Sequence, residues 1–223
     1  MKNNEPIRTI KNKELTKRKL ILAVGELIRT EGFISLKSAS KVARFAGVDR
    51  KLIGRYFGGL SQLIEAYVVE NDYWLLFTEK IDDLVSSSNY PGSKELITSI
   101  LQNQFAYFSS DKDMQRLILW ELTTNVPLMK SIHNVRESMG HKLLALTDEH
   151  FNGSKVNFRA IGALLVGGIY YMILHTINNG GKFTDVDVTS NEGHEQILNA
   201  IEQIVSWAYE AAKSEQSDEF AGN

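Results

Sequence analysis

The sequence predicts an all-α fold of about nine helices, with a helix-turn-helix domain over residues 1–60 and a second helical domain over residues 61–223. Three observations carry this reading. Apolar residues recur at helical spacing along almost the whole chain, and no stretch alternates convincingly at the two-residue period of a strand. Only 3 prolines interrupt 223 residues, and 43% hydrophobic against 23% charged residues is the balance of a chain that folds around a core. The charge is also divided. Residues 1–60 carry 14 Lys and Arg against 5 Asp and Glu, and residues 61–223 carry 11 against 22, so a formal net charge of −2 hides a head at +9 and a body at −11. Such asymmetry separates a segment suited to a polyanion from an acidic body with another task.

Taken in order, residues 13–31 place Leu15, Leu20, Ala23, Val24, Leu27 and Ile28 on one helical face before Gly32 stops the run. Short helices follow near 38–46 and 50–56. A long pattern then runs from Leu60 to Val85 through Leu63, Ile64, Tyr67, Val68, Trp74 and Ile81, and Ser86 to Gly92 breaks it. Residues 94–109, 112–125 and 128–150 each repeat an apolar stripe, with Pro127 between the last two. Residues 156–178 form an apolar helix, and Asn178 to Ser190 reads as a loop in which Lys182 to Val188 alternates only weakly. Ile197, Ile201, Ile204, Val205 and Ala208 mark a last helix, and the acidic tail from Ser214 is expected to fray.

Several function classes are excluded. Cysteine is absent, which removes disulfides, thiolate metal sites and cysteine nucleophiles and fits a reducing, cytoplasmic setting. Met1 to Lys19 is polar and basic, unlike a secretory signal. No Asp, Glu, Lys or Arg occurs from Ala160 to Gly181, but His175, Thr176, Asn178 and Asn179 make its end polar. The apolar part is short for a bilayer span, so a helix buried on nearly all sides, in a core or a subunit interface, is expected. No Gly-rich phosphate loop, GxSxG, dinucleotide fingerprint or HExxH occurs, and the five histidines include no i, i+4 pair. Adjacent carboxylates such as Asp82-Asp83 and Asp148-Glu149 do not face one another on a helix. Neither an enzyme, a metal site nor a cofactor is expected.

The head is more specific. Val42 and Ala43 give the first short helix an inner face, Gly47 can end it in the left-handed conformation, Val48 is an apolar plug, and Asp49 can cap the second. Helix, short Gly-bearing turn, helix is the helix-turn-helix pattern. Its second helix carries Arg50, Lys51, Arg55 and Tyr56, and Ser38 is placed to cap the first. Cations neutralise phosphates and release counterions, and Arg can read guanine in the major groove. Double-stranded DNA is therefore the expected partner. Arg50 and Lys51 are placed to reach base edges, and Ser38, Arg55 and Tyr56 to fix phosphates.

Here the chain resembles the TetR family of one-component bacterial transcriptional regulators. The resemblance runs through Leu20, Ala23-Val24, Leu27-Ile28 and Gly32-Phe33, then Ser38, Val42-Ala43 and Ala46-Gly47-Val48, then Phe57 and Leu63. It covers roughly residues 15–68 by motif, and the remainder in length and helix pattern. Two positions depart from the family: Gly54 stands where a phosphate-contacting Tyr is usual, and Leu60 where a Lys is common at the start of the fourth helix. The link after Gly32 is one residue longer than usual.

The resemblance implies a C-terminal ligand-binding and dimerisation domain, in which the last two major helices of each subunit form a four-helix interface. In this sequence Ala163 and Gly167 allow close helix approach beside Tyr170, and Ile197, Ile201, Ile204 and Ala208 offer a second face, so these are the expected interface residues of a homodimer. The expected ligand is small and hydrophobic, and Tyr73, Phe77, Phe105, Phe108, Trp120, Thr124 and Tyr171 are its expected contacts. The implied function is a ligand-responsive repressor on a palindromic operator. Two alternatives are a TetR-like interaction protein with weakened or lost DNA binding, for which Gly54 and Leu60 speak, and a small helical enzyme or carrier using the aromatic cavity.

Overall fold

A computed structural model of the chain describes the backbone of residues 5–74, 92–123 and 127–221. It is all-α apart from one small hairpin among these residues. The α-helices are α1 (Glu5–Glu31), α2 (Ala39–Ala46), α3 (Lys51–Phe57), α4 (Leu60–Asn71), α5 (Ser93–Ser110), α6 (Lys112–Thr123), α7 (Pro127–Ala145), α8 (Asp148–Phe151), α9 (Phe158–Asn179) and α10 (Asn191–Ala221). A 3₁₀ turn, Phe33–Lys37, links α1 to α2. The chain divides into two compact units, one of residues 1–76 with 116–131, the other of residues 77–115 with 132–223.

The first unit is organised on α1. Leu20, Ala23, Val24, Leu27 and Ile28 are all buried, as their spacing predicts, and α1 packs against α2, α4 and the 3₁₀ turn. Leu36, Val42, Ala43, Ile53, Leu63, Ile64, Tyr67 and Val68 complete this core. Phe33 stacks on Trp120 with ring centroids 4.1 Å apart. Arg18 and Glu70 form an ion pair at 2.5 Å, but both are well exposed, so it adds little stability.

The expected helix from Leu60 to Val85 is not continuous. It ends at Asn71, where Asp72 takes an extended conformation and its carboxylate accepts the amide of Trp74, two residues on, at 3.0 Å. Asp72 is fully buried and so is spent on this junction rather than on solvent.

In the second unit α5 is the central helix, flanked by α9 and α10. Gln102 Nε2 donates to the Leu198 carbonyl at 3.1 Å, Tyr209 Oη donates to Ser93 Oγ at 2.9 Å, and Phe105 meets His194 edge-on. The helix expected over residues 128–150 is interrupted at Leu146-Thr147, where the buried Thr147 hydroxyl donates to the Leu144 carbonyl. The short α8 then stacks His150 on Tyr209, with Nε2 donating to the Tyr209 carbonyl at 2.9 Å. The tail expected to fray from Ser214 continues as helix to Ala221, and Glu215 accepts the Lys155 amide at 2.7 Å.

Two further expectations change. Lys182–Phe183 and Val186–Asp187 pair as an antiparallel hairpin inside the expected loop. Its two-residue turn, Thr184-Asp185, has positive φ at both positions, which matches the twist of a tight hairpin without glycine. The Thr189 hydroxyl, and then its amide, donate to Asp187 and hold that carboxyl below its usual range. Within the chain itself the apolar helix α9 is not buried on nearly all sides, as a helix of the chain's own core would be. Phe158–Ile177 is long and apolar enough to cross a membrane, with mean hydropathy 1.7, yet only 11% of that window is buried within the chain. Phe158, Ile169 and Ile173 face inward, whereas Leu164 is 76% exposed and Ile177 is exposed as well.

The hairpin meets the start of α10 at Gly193, where a Cβ would lie 1.8 Å from the Asp187 carbonyl oxygen. Gly193→Ala is therefore expected to destabilise the chain by about 1–3 kcal/mol, the usual penalty of overpacking, measured as a lowered urea midpoint with unchanged slope.

Candidate nucleic-acid interface

The helices α2 and α3 are too short to be stable alone, so their ends decide whether they form. At the start of α2, Ser38 Oγ accepts the Lys41 amide at 3.3 Å. At its end Gly47 is left-handed (φ 65°, ψ 36°). The Gly47 amide donates to the Arg44 carbonyl at 3.1 Å and the Val48 amide to the Ala43 carbonyl at 3.0 Å. These two bonds form a complete Schellman closure. Two residues on, Asp49 Oδ1 accepts the Lys51 amide at 2.7 Å and its carbonyl accepts the Leu52 amide at 3.0 Å, which starts α3.

Burial then orients both helices. Val42 and Ala43 turn α2 inward, and Ile53 does the same for α3. The opposite stripe of α3, Lys51, Gly54 and Arg55, is exposed, as are Arg50 before it and Gly58 after it. Among the described residues no carboxylate pairs with Arg50, Lys51 or Arg55. Lys41, by contrast, is engaged with Glu31. Free cations on one exposed stripe beside a capped helix start are what phosphate neutralisation requires.

Tyr56 is half-buried, with the Arg55 guanidinium and the Lys13 ammonium each 5.9 Å from its ring centroid. Lys13 was not among the residues expected at the interface. It lies on α1, and the signal for it was the run Lys11, Lys13, Lys17, Arg18 and Lys19. Gly54 is exposed in mid-helix with no atom within 4 Å of where a Cβ would stand. Leu60 is half-buried at the first turn of α4 and supplies no cation.

The remaining expected site residues are distributed. Tyr73 is buried and Trp120 half-buried in the first unit, while Phe105 and Phe108 are buried in the second, Phe108 edge-on to Tyr170 at 4.8 Å. Tyr171, also an expected ligand contact, lies on the outer side of α9. It is 58% exposed on α9 and touches His175 and Phe183 of the hairpin. Phe77 and Thr124 lie outside the described residues.

Of the expected interface residues, Ala163 and Gly167 are exposed on α9, and Tyr170, Ile197 and Ile204 are half-buried. Ile201 and Ala208 are buried within the chain itself. An apolar stripe on a helix looks the same in sequence whether it faces its own core or a second copy. The outward stripe of α10 holds Asn199, Gln203, Ser206 and Glu210 around Trp207, along an open groove of about 350 Å³.

No family model and no curated protein sequence matches the chain. Solved structures do. A protein of Clostridium perfringens assigned as a fatty acid metabolism regulator superposes with a TM-score of 0.61 at 13% identity, covering 83% of this chain and 97% of that one. The transcriptional regulator FadR of Bacillus subtilis, solved with stearoyl-CoA, gives 0.60 at 18% identity, covering 82% and 96%. A TetR-family regulator of Marinobacter aquaeolei gives 0.60 at 16%, covering 87% and 97%. The chain has the fold of TetR-family regulators.

The two glycines of the reading head should respond oppositely to alanine. Gly47→Ala places a side chain at positive φ and is expected to cost about 1–2 kcal/mol. Gly54→Ala fills open space in a helix and is expected to gain about 1 kcal/mol. Thermal melts of the two variants check both signs.

Proposed function

We propose that this chain is a cytoplasmic, homodimeric transcriptional repressor that binds a palindromic DNA site and is released by a small hydrophobic ligand. The observation that carries the reading is the exposed stripe of α3, where Lys51 and Arg55, with Arg50 beside them, have no carboxylate partner among the described residues. Arg50 and Lys51, at the N-terminal end of α3, reach base edges. Ser38, Arg55 and Tyr56 contact phosphate, and Lys13 adds a cation that makes up for Gly54 and Leu60.

Dimerisation is supported by α9. A helix this apolar with Leu164, Tyr171 and Ile177 exposed needs a cover, and the exposed Ala163 and Gly167 let a second helix come close. Trp207 extends the same requirement to α10. A dimer also sets two α3 helices for successive major grooves, about 34–36 Å apart. Ligand binding acts by preferring the state in which that spacing is lost. Phe105 and Phe108 supply apolar contacts in the second unit, and the stearoyl-CoA bound to the FadR of B. subtilis has, beside its charged head, a long acyl chain of the kind such contacts suit. The alternative of a protein that keeps the fold without binding DNA rests on Gly54 and Leu60.

Two measurements test the reading. In fluorescence anisotropy with a duplex from upstream of the chain's own coding sequence, Lys51→Ala is expected to weaken binding and lower the salt slope by about 1. An unchanged slope removes Lys51 from the contacts, and no salt-dependent binding by the unmodified chain favours the interaction-protein alternative. In light scattering at micromolar concentration the chain is expected at twice its 25.1 kDa mass. Leu164→Glu is expected to halve that mass with helical circular dichroism retained.

A further inference from the structure

We propose that Gln104 is the polar anchor of the ligand site in the second unit. Its ligand is then an uncharged amphiphile whose polar end is an amide or a protonated carboxylic acid. This rests on the ligand-responsive reading above and gives it a chemistry.

Gln104 lies on α5 in one stripe with Ile97, Leu101 and Phe108, seven and three residues before it and four after, and all four are buried. It is only 1% exposed. Both Oε1 and Nε2 are out of contact with solvent, and among the described residues neither has a hydrogen-bond partner. An amide so placed loses its bonds to water and regains none, a cost that folded proteins rarely leave standing.

The same unit satisfies its other buried polar side chains. Gln115 Nε2 donates to the Phe108 carbonyl at 2.7 Å and to the Ser109 carbonyl at 3.2 Å. The Thr147 hydroxyl donates to the Leu144 carbonyl at 2.7 Å. Gln104 is therefore not a sign of loose packing of polar groups in general. It is a donor and an acceptor held side by side in an apolar stripe that already contains an expected ligand contact, Phe108.

The chemistry of the partner follows. The primary amide offers N–H donors beside a carbonyl acceptor, and both are answered together only by a group with an acceptor and a donor of its own. A carboxamide and a protonated carboxyl meet this condition, whereas an ester or thioester carbonyl answers only the donor. The fully buried side chains of α5, α9 and α10 carry no formal charge, and the titratable group these helices bring against Phe105, beside Gln104, is the half-buried His194; without its charge a carboxylate or phosphate here is disfavoured by desolvation. Phe108 and Leu101, one turn to either side, ask for an apolar body.

The test uses the full chain and three probes of similar length: decanamide, decanoic acid and methyl decanoate. Isothermal titration is expected to give at least tenfold tighter binding for decanamide than for the ester. Decanoic acid is expected to bind more tightly at pH 5 than at pH 8, with decanamide unchanged and with the same pH dependence in His194→Gln, so the arms tell an amide from a protonated acid, and a protonated acid from a carboxylate paired with the imidazolium. Gln104→Leu, and Gln104→Met as a second variant of similar size, are expected to bind amide and ester alike. Free of probe they are expected to melt higher than the unmodified chain, because an unpaired amide has been removed. Equal binding of amide and ester by the unmodified chain, no binding of any probe, or a preference that survives both substitutions overturns the proposal. Anisotropy with upstream DNA, run without probe, separates the two claims. Retained DNA binding with no probe preference removes only the Gln104 site, and absent DNA binding removes the regulator reading.

Discussion

Everything the head can do depends on how five residues close one helix and open the next. The left-handed Gly47, with the Ala43 and Arg44 carbonyls answered, ends α2, and the Asp49 carboxylate starts α3. Helices of 8 and 7 residues have no independent stability, so these bonds and the burial of Val42, Ala43 and Ile53 set where α3 points. Once Ile53 is inside, the residues at the opposite helical positions must be outside. Lys51, Gly54 and Arg55 are exposed for that geometric reason, and their chemistry follows from it.

A second constraint acts in the other unit. Burial of Phe158, Ile169 and Ile173 satisfies one side of α9 and leaves the rest of a strongly apolar helix uncovered. Exposed apolar area of this extent is a free-energy cost that association removes. The proposed dimer therefore links two features with no sequence connection: the outer face of α9 and the spacing of two α3 helices on DNA. It also gives the divided charge a physical use. A basic head draws the protein to a polyanion, and an acidic body turns away from it.

Much of this was legible in the sequence because it depends on local rules. The spacing of Leu20, Val24, Leu27 and Ile28, the glycine after Ala46 and the carboxylate before Arg50 each act within a few residues, and each behaves as read. What was not legible depends on long-range packing. Asp72 breaks a helix whose apolar period runs on past it, and no local signal marks it as buried. Ile201 and Ala208 read as an interface stripe because burial within the chain and burial against a second chain leave the same pattern. Tyr171 lies on an apolar helix, and nothing in its neighbours says that it faces out. The weak alternation of Lys182 to Val188 is too short to separate a hairpin from a loop. Gln104, flanked by apolar residues, carries no mark of burial without a partner.

The account stands on α3 entering a major groove twice, one helical turn apart. Hydroxyl-radical footprinting of the DNA upstream of the chain's coding sequence tests that most directly. The account predicts protection of a palindromic stretch whose two half-sites are centred about 10 base pairs, or a multiple of that, apart, and loss of both when Lys51 and Arg55 are replaced by Ala together. Uniform, sequence-independent protection, or none at all at low salt, would contradict it.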